Sequence, residues 1–405
     1  MRKLTVKLRR SPDDSIVVGQ LAQAGQRIYF EYDASFIERE LPLSPFKLPL
    51  RAGMIEHADV SFGRLPGLFD DSLPDGWGLL LMDRMFRRRG LDPVAVSPLE
   101  RLSYLGVRTM GALTYHPPED VKPDNALIDL HKMGENARQI YSGQAVEILP
   151  ELMRAGGSPG GARPKALIGL KNDKIISGED DLPAGYKHWI VKFPSDRDGR
   201  DAGRVEFAYA AMARAAGIDM PATKLFRVAK TQAYFGAQRF DRGPKNRRRH
   251  LHTFGNLIHA NFRIPTTDYA DLFKVTIALT RNHADLLRAF ARMAFNVAAH
   301  NRDDHAKNFS FLMADSGDWS LSPAYDLTFS AGPGGEHTMT IAGEGRSPTR
   351  DHMLQLAGQF DIKRKDANAI IDKVARAVSK WNEFAERAGC TKKTACAISA
   401  RLQPV

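Results

Sequence analysis

Residues 300–310 hold the densest set of side chains that could take part in chemistry. The segment reads HNRDDHAKNFS and follows a long apolar run that is typical of a buried helix. Asp303 stands five residues before Asn308, a spacing that suits phosphoryl transfer, with the aspartate orienting a hydroxyl and the asparagine holding Mg²⁺. The same segment also offers four ligands for a transition metal: His300, Asp303, Asp304 and His305. A hydrogen-bonded turn, which favours aspartate and asparagine, is a third interpretation.

A further carboxylate, Asp326, follows the sequence SPAY at 322–325. Phosphoryl transfer requires a second oxygen ligand for the same Mg²⁺, delivered from a neighbouring strand after a short hairpin. Asp326 lies 18 residues beyond Asn308, which is a suitable distance for that arrangement. An aspartate in a loop after proline is common, so this signal is weak when taken alone.

A glycine-rich segment at 156–165 reads GGSPGGARPK. Four glycines allow backbone N–H groups to approach phosphate oxygens closely. The segment lacks the Walker pattern. In that pattern a first glycine is followed by four residues of any type and then by Gly-Lys-Ser or Gly-Lys-Thr. A flexible surface turn is the structural alternative.

Lys192 lies within the apolar strand-like sequence HWIVKF at 188–193. A lysine inside such a strand is unfavourable unless its ammonium meets anions, such as the phosphates of a nucleotide. Glu206, on the following alanine-rich helix, is its natural ion-pair partner. A lysine that protects an edge strand from aggregation is the alternative.

The elements that position these residues follow from the apolar patterns. Alternating apolar residues predict strands in the first 50 residues. Prolines at 117–123 mark a domain boundary. Helices are predicted over 205–216, 283–299 and 368–387, so the last third of the chain is mainly helical.

Composition limits the class of protein. The 405 residues are 43% hydrophobic and 26% charged, as in ordinary globular proteins of two or three domains. The two cysteines exclude a disulfide framework and fit a reducing, cytoplasmic location. No apolar run is long enough to cross a membrane, so no membrane partner is expected. The net charge of +11 is compatible with an anionic partner such as nucleic acid or nucleotide, or with solubility alone.

The order of these parts is more specific than any one of them. Along nearly its whole length the chain resembles the HipA-type serine/threonine kinase toxins of bacterial toxin–antitoxin modules. The resemblance rests on several strings: DSLPDGWG at 71–78, YLG at 104–106, GAL at 111–113, SPGGARPK at 158–165, HWIVKF at 188–193, QRFDR at 238–242, DDHAKNFS at 303–310 and PAYD at 323–326.

The resemblance implies an α+β, two-lobed protein-kinase-like fold with an N-terminal β-rich domain. We expect that domain at 1–118, a kinase N-lobe with the glycine-rich loop and strand lysine at 119–242, and a helical C-lobe at 243–405. The implied cofactors are ATP and Mg²⁺. Asp303 would be the catalytic residue, and Asn308 and Asp326 would hold the metal. The residues expected to bind ATP are Ser158, Gly160, Gly161, Ala162, Lys165, Lys192, Gln238, Phe240, Asn308 and Asp326.

Regulation and partners are also implied by the resemblance. Ser158 corresponds to the serine that family members autophosphorylate, which expels the loop and ends ATP binding. Pro159 directly after it, and Pro164 within the loop, depart from the best-known relative. The implied partners are a HipB-like helix-turn-helix antitoxin, operator DNA reached mainly through that antitoxin, and an aminoacyl-tRNA synthetase substrate such as glutamyl-tRNA synthetase.

Direct DNA contact by this chain is a separate hypothesis, carried by the basic residues Arg247, Arg248 and Arg249. Two other functions stay open at this point. One is a metal-dependent hydrolase built on the histidines and aspartates at 300–305. The other is a catalytically silent corepressor that acts only through antitoxin and DNA.

Overall fold

The computed structural model describes residues 2–59, 61–118, 127–144, 147–154, 161–196, 198–228 and 232–402. Three sheets and a set of helices make up this part of the chain. The expected α+β class is confirmed, because antiparallel sheets dominate the first half and helices the second. No helix among the described residues is both long and apolar enough to cross a bilayer.

The alternating residues at the N-terminus form the first sheet, whose strand order is β4-β3-β2-β1-β5. Leu4, Val6 and Leu8 are buried on one face, as their spacing of two predicts. Four helices follow or interrupt its strands: α1 (Ala34–Ile37), α2 (Gly67–Asp70), α3 (Gly76–Arg88) and α4 (Pro98–Leu105). The strands are β1 (Arg2–Ser11), β2 (Asp14–Ala24), β3 (Arg27–Tyr32), β4 (Met54–Glu56) and β5 (Leu113–His116).

The second sheet has the order β7-β6-β8-β10-β9, and its neighbouring strands are antiparallel. Its strands are β6 (Lys165–Lys171), β7 (Lys174–Ser177), β8 (Lys187–Lys192), β9 (Thr223–Arg227) and β10 (Ala233–Gln238). Helices α5 (Leu130–Tyr141) and α6 (Pro150–Arg154) precede it, and α7 (Ala202–Ala215) lies between β8 and β9 in the chain. Trp189, Val191 and Phe193 point into the core of this sheet, which places Ile190 and Lys192 on the opposite face.

The last part of the chain is helical around a small sheet of order β11-β12-β13. Helix α10 is buried along most of its length and leads directly into the segment at 300–310. The prediction of one helix over 368–387 is wrong in one respect. The structure has two helices there, α12 (Arg364–Val378) and α13 (Trp381–Ala388), separated by Ser379 and Lys380. The elements are β11 (His250–Thr253), α8 (Phe254–Ile258), α9 (Tyr269–Thr280), α10 (His283–Ala298), β12 (Ser310–Met313), β13 (Trp319–Leu321), α11 (Arg350–Gln359), α12 (Arg364–Val378), α13 (Trp381–Ala388) and α14 (Lys392–Ser399).

Helix α3 joins the N-terminal region to the second sheet. Trp77 and Leu81 are buried in the same apolar cluster as Ile168 of β6 and Val191 of β8. The indole Nε1 of Trp77 donates to the backbone oxygen of Lys165 at 2.9 Å. The N-terminal region therefore supplies part of the core that supports the second sheet.

We expect Trp77→Ala to lower the free energy of unfolding by about 3–5 kcal/mol, because it empties a buried site. Trp77→Phe keeps most of the packing and loses mainly one hydrogen bond, so about 1–2 kcal/mol is expected. Denaturant titrations followed by circular dichroism measure both values. Leu91→Ala is the control, since Leu91 is 47% exposed. Equal decreases in the free energy of unfolding for Trp77→Ala and Leu91→Ala would contradict the proposed packing of α3 against the second sheet.

Candidate functional site

A cleft of about 640 Å³ lies between the second sheet and the helical part of the chain. Its wall contains residues that are far apart in sequence, from the N-terminal motif to the segment after β13. It brings together most of the residues predicted from the sequence: Gly161, Ala162, Lys165, Lys192, Glu206, Gln238, Phe240, Asp303, Asn308 and Asp326. Ser158 and Gly160 lie outside the described residues.

Lys192 is the centre of the charge pattern in this cleft. Its ammonium contacts the carboxylate of Glu206 on α7 and lies 2.6 Å from Oδ1 of Asp326. The Lys192 side chain is 15% exposed and that of Glu206 4%, whereas Asp326 is 29% exposed and forms the open side of the cluster. A buried charge needs such partners, because the cost of removing it from water is several kcal/mol.

The surroundings shift the pKa values of the three groups in different directions. Burial opposes the charge of Lys192, but the carboxylates of Asp326 and Glu206 outweigh it and raise the lysine pKa. Burial likewise opposes ionisation of Asp326, yet Lys192 and Lys165 together hold its pKa well below the usual range. Burial dominates for Glu206 and raises its pKa. Asp326 is therefore the carboxylate of the cluster that is most firmly ionised.

The segment at 300–310 presents Asp303 and Asn308 to the cleft. A short 3-10 turn, Ala306–Asn308, carries the asparagine, and its Nδ2 donates to the backbone oxygen of Asp303 at 2.7 Å. That bond fixes the amide nitrogen, so the amide oxygen remains to act as a ligand. Asp303 is exposed at the mouth of the cleft. Partial loss of water around it raises its pKa, and the nearby charge of Asp326 adds to the effect.

Asp304 points away from the cleft, although it is adjacent to Asp303 in sequence. Its carboxylate accepts hydrogen bonds from the Tyr269 hydroxyl at 2.8 Å and the Thr338 backbone N–H at 2.9 Å, and it contacts His337 Nδ1 at 2.8 Å. The ring of His300 stacks on Phe329. No group of three or more His, Cys, Asp or Glu side chains suited to a metal occurs within the described ranges, which include residues 300–305. The hypothesis of a four-ligand transition-metal site at these residues is therefore wrong.

The end of the glycine-rich segment lies against the N-terminal motif. The Gly161 N–H donates to the carboxylate of Asp75, and its backbone oxygen accepts from the Trp77 N–H at 3.3 Å. The N–H of Gly161 is thus used inside the protein in this state rather than directed at a phosphate. Lys165, at the start of β6, pairs in register with Lys192, and burial lowers its pKa to about 8.

Asp70 and Asp71 were given no role from their sequence, and both contact distant parts of the chain. Asp70 forms an ion pair with Lys307 of the 300–310 segment at 3.2 Å. Asp71 accepts from the N–H and hydroxyl of Thr253, both at 2.7 Å, at the junction of β11 and α8. Asp71 begins the string DSLPDGWG, which helps to carry the resemblance, but the string did not indicate what Asp71 or its neighbour Asp70 contacts.

Gln238 and Phe240 lie where the second sheet leads into the helical part of the chain. The Gln238 N–H donates to the backbone oxygen of Ala222 at 2.8 Å. The Phe240 ring lies 5.7 Å from the Tyr325 ring, so it forms an aromatic part of the cleft wall. This apolar part of the wall is suited to a planar ring.

The three arginines predicted to contact DNA do not share one surface. Arg248 is buried, and its guanidinium donates to the backbone oxygen of Val107 at 2.7 Å and lies 3.4 Å from Asp181. The prediction for Arg248 is therefore corrected, since this side chain links internal elements. Arg247 and Arg249 are exposed, and Arg247 forms an ion pair with Asp315.

Both halves of the chain match models of the same protein family. Residues 14–116 match the model of the HipA N-terminal domain, and residues 157–381 match that of the HipA-like C-terminal domain. A protein of Sinorhizobium fredii described as "Putative kinase Y4dM" is 27% identical over 382 residues, covering 88% of this chain and 85% of that protein.

A solved structure has a similar fold over nearly the whole chain. It is a chain of the Shewanella oneidensis MR-1 toxin–antitoxin complex of HipA, HipB and operator DNA. The TM-score is 0.71 with 17% sequence identity, covering 98% of this chain and 94% of the other. The expected HipA-type fold is thereby confirmed.

We expect Lys192→Met to lower the free energy of unfolding at neutral pH by about 3–5 kcal/mol, because it leaves Glu206 and Asp326 close together without the cation that contacts both. Loss of the ammonium raises the pKa of Asp326 and raises that of Glu206 further above its unfolded value. The destabilisation is then complete above those raised pKa values and diminishes as the pH falls and a carboxylate gains a proton.

Denaturation of wild type and variant at about pH 7.5 and about pH 5.5, without divalent cations, measures this difference. Lys224→Met is the control in the same sheet, because Lys224 pairs with Asp173, which is 97% exposed. Its effect should be small and nearly independent of pH. A loss in Lys192→Met that does not change with pH would contradict the buried cluster.

Proposed function

The chain belongs to the HipA family, and from that premise we propose that it is a protein serine/threonine kinase that transfers the γ-phosphoryl group of ATP. The observation that carries the proposal is the meeting, in one cleft, of the Lys192 cluster with Asp303 and Asn308. Phosphoryl transfer needs little covalent chemistry from the protein and depends on positioned charges. The description of the S. fredii relative as a kinase supports the same activity.

Each residue of the cleft has a role in this proposal. Lys192 binds the α- and β-phosphates and is oriented by Glu206. Asp303 accepts the proton of the attacking hydroxyl, and its raised pKa suits a group that takes up a proton during the reaction. Lys165 adds a second positive charge near the phosphates. Gln238 and Phe240 line the end of the cleft where the adenine would bind.

Mg²⁺ fits the oxygen donors of the cleft. It is usually held by one or two protein carboxylates or amides together with phosphate oxygens and water, so it does not require a cage of several side chains. Asn308 and Asp326 would hold it, and the lowered pKa of Asp326 keeps that carboxylate ionised. When bound, Mg²⁺ neutralises charge on the phosphates and helps to orient them. Lys192 must then turn from Asp326 toward the phosphates while it stays on Glu206.

The finer parts of the proposal concern regulation and partners. Phosphorylation of Ser158 would add negative charge to the loop that holds phosphate and so inactivate the kinase. A HipB-like antitoxin and operator DNA are the proposed partners, supported by the HipA relative solved with HipB and its operator. An aminoacyl-tRNA synthetase as substrate and a cytoplasmic location are supported by the family resemblance alone.

Removal of the proposed base tests the reaction. We expect Asp303→Asn to lower the rate of phosphoryl transfer by about 10²–10⁴-fold while ADP binding persists, because the substitution removes a proton acceptor and little else. Intact-mass spectrometry after incubation with Mg-ATP measures phosphate added to the chain, peptide digestion locates it, and calorimetry measures ADP affinity.

Asp318→Asn is the matched control, since Asp318 lies in the turn between β12 and β13 and accepts a hydrogen bond from Ser316 there. Equal transfer rates in wild type and Asp303→Asn would contradict the assignment of Asp303. Growth inhibition that persists in Asp303→Asn would instead favour the catalytically silent corepressor.

The lowered pKa of Lys165 predicts that the affinity for ADP depends on pH. Because burial lowers this pKa to about 8, the ammonium is present below pH 8 and is lost as the pH rises. We therefore expect ADP affinity to fall above pH 8, by at most about tenfold per pH unit, with proton uptake on binding. Lys165→Arg should abolish that dependence because arginine stays charged. Calorimetry in two buffers of different ionisation enthalpy measures both quantities, and an affinity that is constant from pH 7 to about pH 9.5 would contradict the role of Lys165.

A further inference from the structure

We infer that the C-terminal helices α13 and α14 hold α7 in the position that keeps Glu206 on Lys192, and that Asp201 is the positioning residue through which they act. The inference rests on the proposed function, because the position of Glu206 affects catalysis only if Lys192 binds ATP phosphates. It goes further by assigning a role in the reaction to a part of the chain that contributes no residue to the cleft.

Asp201 has an unusual set of partners for a residue at the start of a helix. It is the N-cap residue of α7, yet its side chain makes no capping hydrogen bond to that helix. Its Oδ2 instead accepts from the Thr391 N–H at 2.9 Å, the Thr391 hydroxyl at 2.7 Å and the Thr394 hydroxyl at 2.8 Å. Asp201 is nearly buried, and these hydrogen bonds keep its pKa below the ordinary value although burial acts in the opposite direction. A carboxylate that would normally stabilise its own helix therefore joins α7 to the start of α14.

A second set of contacts lies along the same helix. Arg204 donates to the backbone oxygen of Gly389, which ends α13, at 3.3 Å. The ring of Tyr209 is fully buried and packs on Trp381 of α13 with centroids 5.2 Å apart. Trp381 in turn donates from Nε1 to the Ala395 oxygen of α14 at 3.0 Å. The two C-terminal helices thus contact α7 on both sides of Glu206 in sequence.

Helix α7 is also held by the second sheet and by the end of α10. A Cβ added to Gly203 would lie 2.6 Å from the Ala233 oxygen of β10, so the helix and the sheet are already at the closest possible approach. The Tyr209 hydroxyl donates to the Ala299 oxygen at 2.7 Å, at the point where α10 ends before the 300–310 segment. Tyr209 lies one turn after Glu206, and the two side chains are therefore on the same face of α7.

These contacts leave α7 with little freedom to move away from β8. In protein kinases the helix that carries the glutamate controls activity by its position relative to the strand lysine. In this chain that position is set by packing between β10 and the C-terminal helices, so the ion pair is formed without a nucleotide or a modification. The C-terminal helices are therefore a place where a change distant from the cleft alters catalysis.

A double-mutant cycle distinguishes this role from a general structural one. Phosphoryl transfer from Mg-ATP is compared in full-length wild type, Asp201→Ala, Glu206→Gln and the double variant. We expect Asp201→Ala to lower kcat/KM by about tenfold, since small displacements of a positioning group are costly to catalysis. In the Glu206→Gln background the same change should lower it by less than about twofold, because the interaction through which Asp201 acts is already weakened.

Equal effects of Asp201→Ala in both backgrounds would overturn the inference, as would an unchanged rate in Asp201→Ala alone. Asp372→Asn is the control, because Asp372 of α12 pairs with Arg350 of α11 and not with a residue of α7. Asp201→Asn and Thr391→Val remove less of the contact and replace Asp201→Ala if that variant fails to fold in thermal melts.

Hydrogen–deuterium exchange tests the restraint without relying on activity. Amides of α7 should exchange faster in Asp201→Ala than in wild type or Asp372→Asn, and unchanged exchange would overturn the inference. Faster exchange together with no transfer by the wild-type chain would contradict the proposed kinase function while leaving the restraint on α7 intact.

Discussion

A single buried ammonium determines how the parts of this protein are arranged. Lys192 extends from β8, Glu206 belongs to α7, and Asp326 follows the last strand of the third sheet. Removing any of these charges from water is costly, so the three groups are stable in the interior only when they meet. Without nucleotide, the contact between Lys192 and Asp326 links the second sheet to the helical part of the chain across the cleft.

The surrounding elements support that cluster from two directions. On one side the N-terminal region contacts two parts of the cleft wall, with Asp75 on Gly161 and Asp70 on Lys307. On the other side the C-terminal helices hold α7 through Asp201. The N-terminal domain contributes no proposed catalytic group, yet its contacts make it part of the structure that shapes the cleft.

Residue type and spacing were sufficient to predict the structure where local periodicity or spacing determines where a side chain lies. The alternation around Lys192 placed it on the face opposite Trp189 and Val191, and the five-residue spacing of Asp303 and Asn308 fits the turn that joins them. Side-chain direction in an irregular loop follows no such period. Asp304 was therefore grouped with Asp303 as a possible metal ligand, although one faces Tyr269 and His337 and the other faces the cleft. Long-range partners are hidden for the same reason, as in the buried position of Arg248.

The central claim is that the Lys192 cluster opens to receive Mg-ATP, and a crystal structure with Mg²⁺ and a non-hydrolysable ATP analogue tests it most directly. The account predicts that Lys192 leaves Asp326 for the α- and β-phosphates while it keeps Glu206. It also predicts that Asp326 and Asn308 both coordinate the metal and that Asp303 faces the γ-phosphate. An analogue bound outside the cleft, or bound within it while Lys192 remains on Asp326 and the metal contacts neither Asp326 nor Asn308, would contradict the account.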